Sequence, residues 1–581
     1  MAREILNGIV ASPGIRIGTA YLYKGARIVI PKYSISDSEV EQQISRLNVA
    51  VSKTKQEIKE IQQQVASSLS DEMADIFTSH LMVLEDPQIV KKAIEILQKE
   101  KRNIEWVLND ISLQLIQSLD SIEDDYMRER ILDISDIHKR LIGNLQKVEF
   151  ESLADLKDEV IVFAAELTPS DTASMNKDNV LAFVTNSGGR TSHTAILARA
   201  LEIPAIVGTV HGTSKIKDGD KVIVDGVHGK VLINPTDEEI QDYIDHQQKL
   251  LILEKELSKL TYQPSITKDG TRIILNGNIE LPEEMQIMKE KGASGIGLFR
   301  SEFLFIGSNL PDEEKQFREY VRVIEYFKPA SVTIRTIDVG GDKIFSFNKE
   351  YVERNPFLGC RAVRFSLANI PIFKTQLRAI MRASSFGNVK LMIPMISTVN
   401  EIYSVKEILE EVKHELRSEG HSFDENIKFG IMMEVPAAII TADILAKHVD
   451  FFSVGTNDLI QYTLAVDRIG EKIAYLYNPL DLSVLRMLKR VVEIAKVTNT
   501  SISICGEIAG EPKYTMLLLG LGFRELSMSA SFMNHIRQII RNVTIAECEQ
   551  IATDLFSIEK THESERYLKD YLKNKFNFVI M

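Results

Sequence analysis

From Ser34 to Lys147 apolar residues recur every three or four positions (Val40, Ile44, Leu47, Val51, then Ile58, Ile61, Val65), with almost no Gly or Pro to interrupt them. That spacing puts them on one stripe of a helix and predicts a helical bundle over 34–147. On either side the pattern changes to short β-like runs: Ile5 to Val10 before it, and Val160 to Ala164, Val180 to Val184 and Val222 to Asp225 after it. Gly and Pro turns separate these runs. The bundle is therefore expected as an insertion in a small α/β domain made of residues 1–33 and 148–236. Asp237 to Leu260 returns to helical periodicity and stops before Pro264, which predicts a helical linker over 237–264.

From Ser265 onward eight β-like runs alternate with helical patterns: Arg272 to Ile279, Gly295 to Arg300, Val332 to Asp338, Val389 to Met395, Phe429 to Val435, Phe452 to Asn457, Ser501 to Cys505 and Glu525 to Met528. Eight alternations over 265–581 predict a C-terminal (β/α)8 barrel, and the fold class is α/β multidomain.

The chain has 581 residues, too many for one core, and 44% of them are apolar, enough to fill several. No uninterrupted apolar stretch of about 20 residues occurs, so no membrane insertion is expected. Met1 to Glu4 lead into a strand-like run instead of a signal peptide, which makes a cytoplasmic location the expectation. Cys360, Cys505 and Cys548 lie far apart, with neither disulfide-framework nor zinc spacing, so any cysteine chemistry is that of a thiol. The net charge of −13 argues against nucleic acid as the main partner. Between Ser34 and Lys147 there are 14 Lys and Arg against 21 Asp and Glu, a net −7. A solvated bundle surface accounts for that balance, and so does a docking face for a basic partner.

The run Ser187 to Ala195 places His193 where a glycine turn passes into a helix. Thr191 or Ser192 can cap that helix, and its first N–H groups favour an anion. The same positive end keeps the imidazole neutral and nucleophilic. A lone histidine at a cap is more often structural, so the barrel has to decide. Barrels of this kind carry their chemistry where the carboxyl ends of the strands meet the following loops. Arg300, Arg335, Glu434, Asn457 with Asp458, and Cys505 close, or nearly close, the second, third, fifth, sixth and seventh runs.

Arg300, Arg335 and Arg361 offer guanidinium forks to a small, highly anionic ligand. The plainer alternative is salt bridges to Glu302, Asp338 or Asp342. Gly340-Gly341-Asp342 and Gly359 would let backbone approach a ligand. Glu434 and Asp458 suit Mg²⁺, or else cap the helices that follow. Cys505, in Ile504-Cys505-Gly506-Glu507, would be kept protonated by an anion-filled site and could donate a proton. Otherwise it is an inert filler, as Cys360 and Cys548 are read to be.

These segments, with Ala11-Ser12-Pro13-Gly14, Gly297 to Leu304, Arg335 to Lys343, Asn355 to Gly359 and Phe452 to Leu459, resemble in order and separation the enzyme I family of the bacterial phosphotransferase system. The resemblance covers essentially the whole chain. It implies a phosphoenolpyruvate-protein phosphotransferase in which His193 is phosphorylated and Arg300, Arg335 and Arg468, joined by Arg361, bind phosphoenolpyruvate. It further implies Glu434 and Asp458 as Mg²⁺ ligands, Asn457 at a substrate-binding position, and Cys505 as the proton donor that converts enolpyruvate to pyruvate. The implied acceptor is a histidine of the carrier HPr, docked on the bundle, and the implied assembly is a homodimer through the barrel. One departure is Cys360, which precedes Arg361 where the family commonly has an aromatic residue. Pyruvate-phosphate dikinases resemble the chain in the same two regions but need a nucleotide-binding domain ahead of the histidine. The 192 residues before His193 are filled by the β-like runs and the bundle, without a glycine-rich nucleotide loop.

Overall fold

The computed structural model describes every residue except 1–2, 25–28, 69–76, 79, 82–83, 85–86, 121–124, 149–152, 177, 189–192, 202, 283, 306–309, 340–354, 468–472 and 577–581. It describes every side chain except those and 66–68, 87–89, 117–120, 125–130, 132, 155, 193, 196, 199–200, 246, 249–254 and 474. The chain falls into two compact units, Met1–Leu251 and Ile252–Met581.

The first unit is built on one sheet of eight strands: β1 Glu4–Asn7, β2 Ile9–Ser12, β3 Ile15–Tyr23, β4 Val160–Ala164, β5 Val180–Thr185, β6 Ala205–Val207, β7 Lys221–Asp225 and β8 Lys230–Ile233, in the order β1-β8-β7-β3-β4-β5-β6-β2. Where the pattern suggested one run from Ile5 to Val10, the chain breaks at Gly8. β1 pairs with β8 at one edge of the sheet and β2 with β6 at the other, which a single unbroken strand cannot do. β3 and β4 are parallel neighbours, with Thr19 opposite Val160, and the helices α1 Val40–Ser68, α2 Pro87–Glu100, α3 Ile104–Asp120 and α4 Asp125–Gln146 fill the excursion between them. A parallel pair needs a crossover, and here the crossover holds a bundle.

The helical stripe read from the sequence is the bundle core: Leu47 and Ile58 of α1 are fully buried, with Val107 of α3 and Ile142 of α4. A second apolar cluster joins Ile58, Val65, Phe77, Leu84 and Ile137 to Ala173 of α5 (Pro169–Ala173) and Leu197 of α6 (His193–Ala200). The helix that begins at His193 thereby packs on the bundle through Leu197, while its Ala195 and Ala198 pack with Val162, Phe183 and Ala205 of the sheet. Helix α7, Asp237–Ser258, runs through the division between the units.

The second unit is a closed parallel barrel of β9 Ile274–Ile279, β10 Ile296–Arg300, β11 Ser331–Arg335, β12 Asn388–Ile393, β13 Lys428–Met433, β14 Phe451–Val454, β15 Ser501–Ile504 and β16 Glu525–Met528. Side chains alternate along each strand. Leu391 and Ile393 of β12 and Ile431 and Met433 of β13 pack outward into the large core, while Met392 and Met432 join Leu298, Phe451 and Cys505 in a separate cluster. No described helix is long and apolar enough to cross a membrane.

Candidate active site

The strand ends bring the expected rim groups to one mouth of the barrel. Arg300 and Arg335 are the last residues of adjacent strands β10 and β11 and lie opposite each other in register. Glu434 directly follows β13 and Cys505 directly follows β15. Asn457 and Asp458 do not end a strand: β14 stops at Val454, and both residues lie in the first turn of helix α8, Thr456–Leu464. Gly455 leaves strand geometry there, and a carboxylate one turn into a helix is favoured by its positive end. Arg361 comes from the turn between the short 3₁₀ segment Pro356–Leu358 and the short helix Val363–Ala368.

Asp338, three residues past β11, is the hub of this arrangement. Its Oδ2 lies 3.1 Å from Arg335 Nη1, and its Oδ1 accepts from Arg361 Nη2 at 2.8 Å and Nε at 3.2 Å. Arg361 Nη2 also lies 3.6 Å from Asp458 Oδ2. Carboxylate oxygens of Asp338, Glu434 and Asp458 all fall within 4.8 Å of one another, a donor set able to hold a hard divalent cation. The salt bridges offered as the plainer alternative do form, to Glu302 and Asp338, with Arg335 Nη2 donating to Glu302 Oε1 at 2.8 Å. They are nearly buried at the mouth, not on an open surface. Asp342 lies outside the described residues, as do Gly340, Gly341 and Lys343.

Electrostatics set the two signs against each other. Glu434 is buried and accepts from the Met395 N–H at 2.6 Å. Burial, then the negative charges of Asp338 and Asp458, push its carboxyl well above the usual range, a cost that a cation among the three would relieve. Burial and neighbouring Arg335 push Arg300 down, while burial of Arg335 is more than offset by Glu302 and Asp338, which hold it charged. Arg300 pairs with Glu280, and among the described residues the buried Nε of both Arg300 and Arg335 has no partner. Two adjacent guanidinium groups at the ends of neighbouring strands, each with a donor to spare, are able to receive an anion. Arg361 is steadied by Asp338, by the Tyr462 hydroxyl at 3.5 Å and by the Phe357 ring at 5.9 Å. Cys360 beside it is half-buried and packs on the barrel core.

Cys505 is buried in the barrel interior with Met392 and Met432. Its Sγ accepts from Ser453 Oγ at 3.2 Å and donates toward the Val454 carbonyl at 3.7 Å. Burial, more than nearby charge, pushes the thiol up, so it rests protonated. The next residue has to be glycine, because a Cβ at Gly506 would overlap the Thr456 hydroxyl and N–H. Asn457 and Glu507 face each other reciprocally: Asn457 Nδ2 donates to Glu507 Oε1 at 2.9 Å and the Glu507 N–H to Asn457 Oδ1 at 3.0 Å. Asp338 as a carboxylate neighbour of Glu434, Ser453 and Glu507 were not singled out from the sequence. The Asp338 signal was present in Arg335-Thr336-Ile337-Asp338, a charge just past a strand end.

In the first unit, His193 is the first residue of α6, as the glycine-to-helix pattern predicts. Gly188, at φ +114°, supplies the turn a larger residue resists. Gly189, Arg190, Thr191 and Ser192 lie outside the described residues, as do the His193 side chain and Arg468. Thr194 Oγ1 ties the helix start to the Leu167 carbonyl at 2.9 Å.

A barrel mouth with adjacent guanidinium groups and a three-carboxylate cluster has the chemistry to receive a small polyanion beside a cation. Family models agree with that class: residues 254–545 match the PEP-binding domain of PEP-utilising enzymes, 7–130 their N-terminal domain and 156–229 their mobile domain. The phosphoenolpyruvate-protein phosphotransferase of Bacillus subtilis (strain 168) is 42% identical over 98% of this chain and 100% of its own length. That of Staphylococcus carnosus (strain TM300) is 41% identical over 99% and 100%. A solution structure of Enzyme I aligns with 42% of this chain and 99% of its own at 41% identity, with a TM-score of 0.37. The chain belongs to the phosphoenolpyruvate-protein phosphotransferase family.

Proposed function

We propose that the protein moves the phosphoryl group of phosphoenolpyruvate to His193 and then to a histidine of HPr, releasing pyruvate as the first step of phosphotransferase-system sugar uptake. The observation that carries this reading is the mouth itself, where Arg335 and Arg361 converge on Asp338 beside Glu434 and Asp458 while the Nε groups of Arg300 and Arg335 find no partner among the described residues.

Arg300, Arg335, Arg361 and Arg468 bind the carboxylate and phosphate, and Asn457 helps to orient the substrate. Glu434 and Asp458, with Asp338 beside them, would hold Mg²⁺, which supplies positive charge to the phosphoryl oxygens. A neutral His193 nitrogen attacks phosphorus in line: the P–N bond forms, the P–O bond to the enol oxygen breaks, and enolpyruvate leaves with its electron pair. Cys505 gives its thiol proton to the methylene carbon, producing pyruvate, and its thiolate regains a proton from water.

His193 and the mouth belong to separate compact units, and in this reading the first unit carries the imidazole to the substrate and then to HPr, with 237–264 taking up the motion. The net −7 of the bundle suits a basic HPr face. Cytoplasmic residence and dimerisation through 265–581 complete the reading.

The test is mass spectrometry of the protein after phosphoenolpyruvate and Mg²⁺, with no nucleotide. A phosphate on His193, absent from His193→Ala, is expected, together with pyruvate release that HPr sustains. Undiminished incorporation of label into His193→Ala would overturn the assignment.

A further inference from the structure

The segment from Arg335 to Asp338 is tied down one residue at a time. The Arg335 carbonyl accepts from Ser301 Oγ at 2.8 Å, and the Thr336 N–H donates to the Met392 carbonyl at 3.0 Å. The Ile337 N–H donates to Gln376 Oε1 at 3.0 Å, and the Asp338 N–H to Glu302 Oε1 at 3.0 Å. Three of these anchors, Ser301, Glu302 and Met392, lie on or just past neighbouring barrel strands. Gln376 is different: it comes from the middle of an outer helix, Ile370–Ala383, and is fully buried.

Its amide is used at both ends. Nε2 donates to Ser301 Oγ at 3.0 Å and to the Tyr320 hydroxyl at 3.2 Å, and Tyr320 donates onward to Gln316 Oε1 at 3.3 Å. Ser301, Tyr320 and Gln316 are as buried as Gln376. One side chain therefore holds Ile337 directly and, through Ser301, the carbonyl of Arg335. An apolar residue would fill that space without the desolvation such a network carries, so the network's return lies in geometry.

We propose that Gln376 is a positioning residue for phosphoenolpyruvate binding, fixing the backbone between Arg335 and Asp338 so that guanidinium and carboxylate face the mouth together. The inference rests on the reading that Arg335 binds the substrate. Leucine at 376 would leave the Ile337 N–H and the Ser301 hydroxyl short of partners in a buried place, and the segment would shift to recover them. A shift of a fraction of an ångström is enough to misplace a forked contact.

The experiment is a double-mutant cycle on the full chain, reading KM for phosphoenolpyruvate in His193 phosphorylation. Gln376→Leu should raise KM about tenfold, the size expected when a buried donor loses its partner. In an Arg335→Lys background it should add less than about twofold, because the group it positions is already compromised. Gln376→Glu keeps the acceptor for Ile337 and loses the donors, so it should raise KM by a smaller factor with the same non-additivity; it stands in for the leucine variant if that does not fold. An unchanged KM in either variant, or a loss that multiplies fully with Arg335→Lys, would overturn positioning while leaving the site reading intact. Arg335→Lys with an unaltered KM would overturn the site reading and this inference with it.

Discussion

Two sets of arginines in the barrel unit use the same chemistry to different ends. On the outer wall, Arg378 of the Ile370–Ala383 helix spends every nitrogen on carboxylates: Nε on Glu313 at 2.6 Å, Nη1 on Glu415 at 3.3 Å and Nη2 on Glu419 at 2.5 Å. Arg382 and Lys374 extend this ladder to Glu314 and Glu411. At the mouth, Arg335 spends both Nη atoms on Asp338 and Glu302, but its buried Nε has no partner among the described residues. The carboxylates differ in the same way. Lys374 and Arg378 hold Glu415 below its usual range, whereas burial and like charge hold Glu434 above it. The outer ladder is fully paired within itself, whereas at the mouth buried groups of both signs are left incompletely paired, which leaves room there for a ligand.

The comparison can be pressed hardest at its two arginines. Arg335→Lys keeps the charge and loses the fork, so kcat/KM for phosphoenolpyruvate should fall by about 10³, while Arg378→Lys should stay within about twofold. Similar losses in both would erase the distinction. Next in size, Cys505→Ala should slow pyruvate formation by about 10² with a smaller effect on phosphoryl exchange at His193, as removal of a general acid does. Equal losses in the two assays would assign the thiol to packing.

A third effect separates the regions by the sign of their pH dependence. Glu434 has a folded pKa above the ordinary 4.5, so its contribution is present below that value and is lost as pH rises through the folded pKa. Glu415 has a folded pKa below it, so its contribution is present above 4.5 and is lost as pH falls. Without a divalent cation the mouth should weaken as pH rises, and Mg²⁺ should raise Tm more at pH 8 than at pH 5.5. Melts of Glu434→Gln should show most of that Mg²⁺ increment gone; an increment that persists unchanged would place the cation elsewhere. Smallest of all, Arg378→Ala should lower Tm by about 2 °C, with the difference shrinking in high salt and activity unaltered.

How far the sequence reaches is seen in particular residues. Arg300 and Cys505 could be placed at strand ends because the β-like runs before them stop there, and Arg335 and Glu434 near strand ends, although the runs to Asp338 and Val435 overshoot strands that stop at Arg335 and Met433. Asn457 and Asp458 could not, since Phe452 to Asn457 reads as one β-like run and only packing decides that Gly455 ends it. The break at Gly8 escaped for a related reason: nothing in Ile5 to Val10 says that its two halves pair at opposite edges of a sheet.

The order of elements, the inserted bundle, the eight βα alternations and the presence of His193 at a helix start were determined by the sequence alone, because hydrophobic period and turn residues are local properties. That Asp338 gathers Arg335, Arg361 and the neighbourhood of Glu434 and Asp458, that Cys505 is held protonated by burial, and that Gln376 reaches in from an outer helix were decided only in the tertiary structure. Charge pairing and desolvation depend on distances between residues far apart in the chain, and those distances exist only once the barrel has closed.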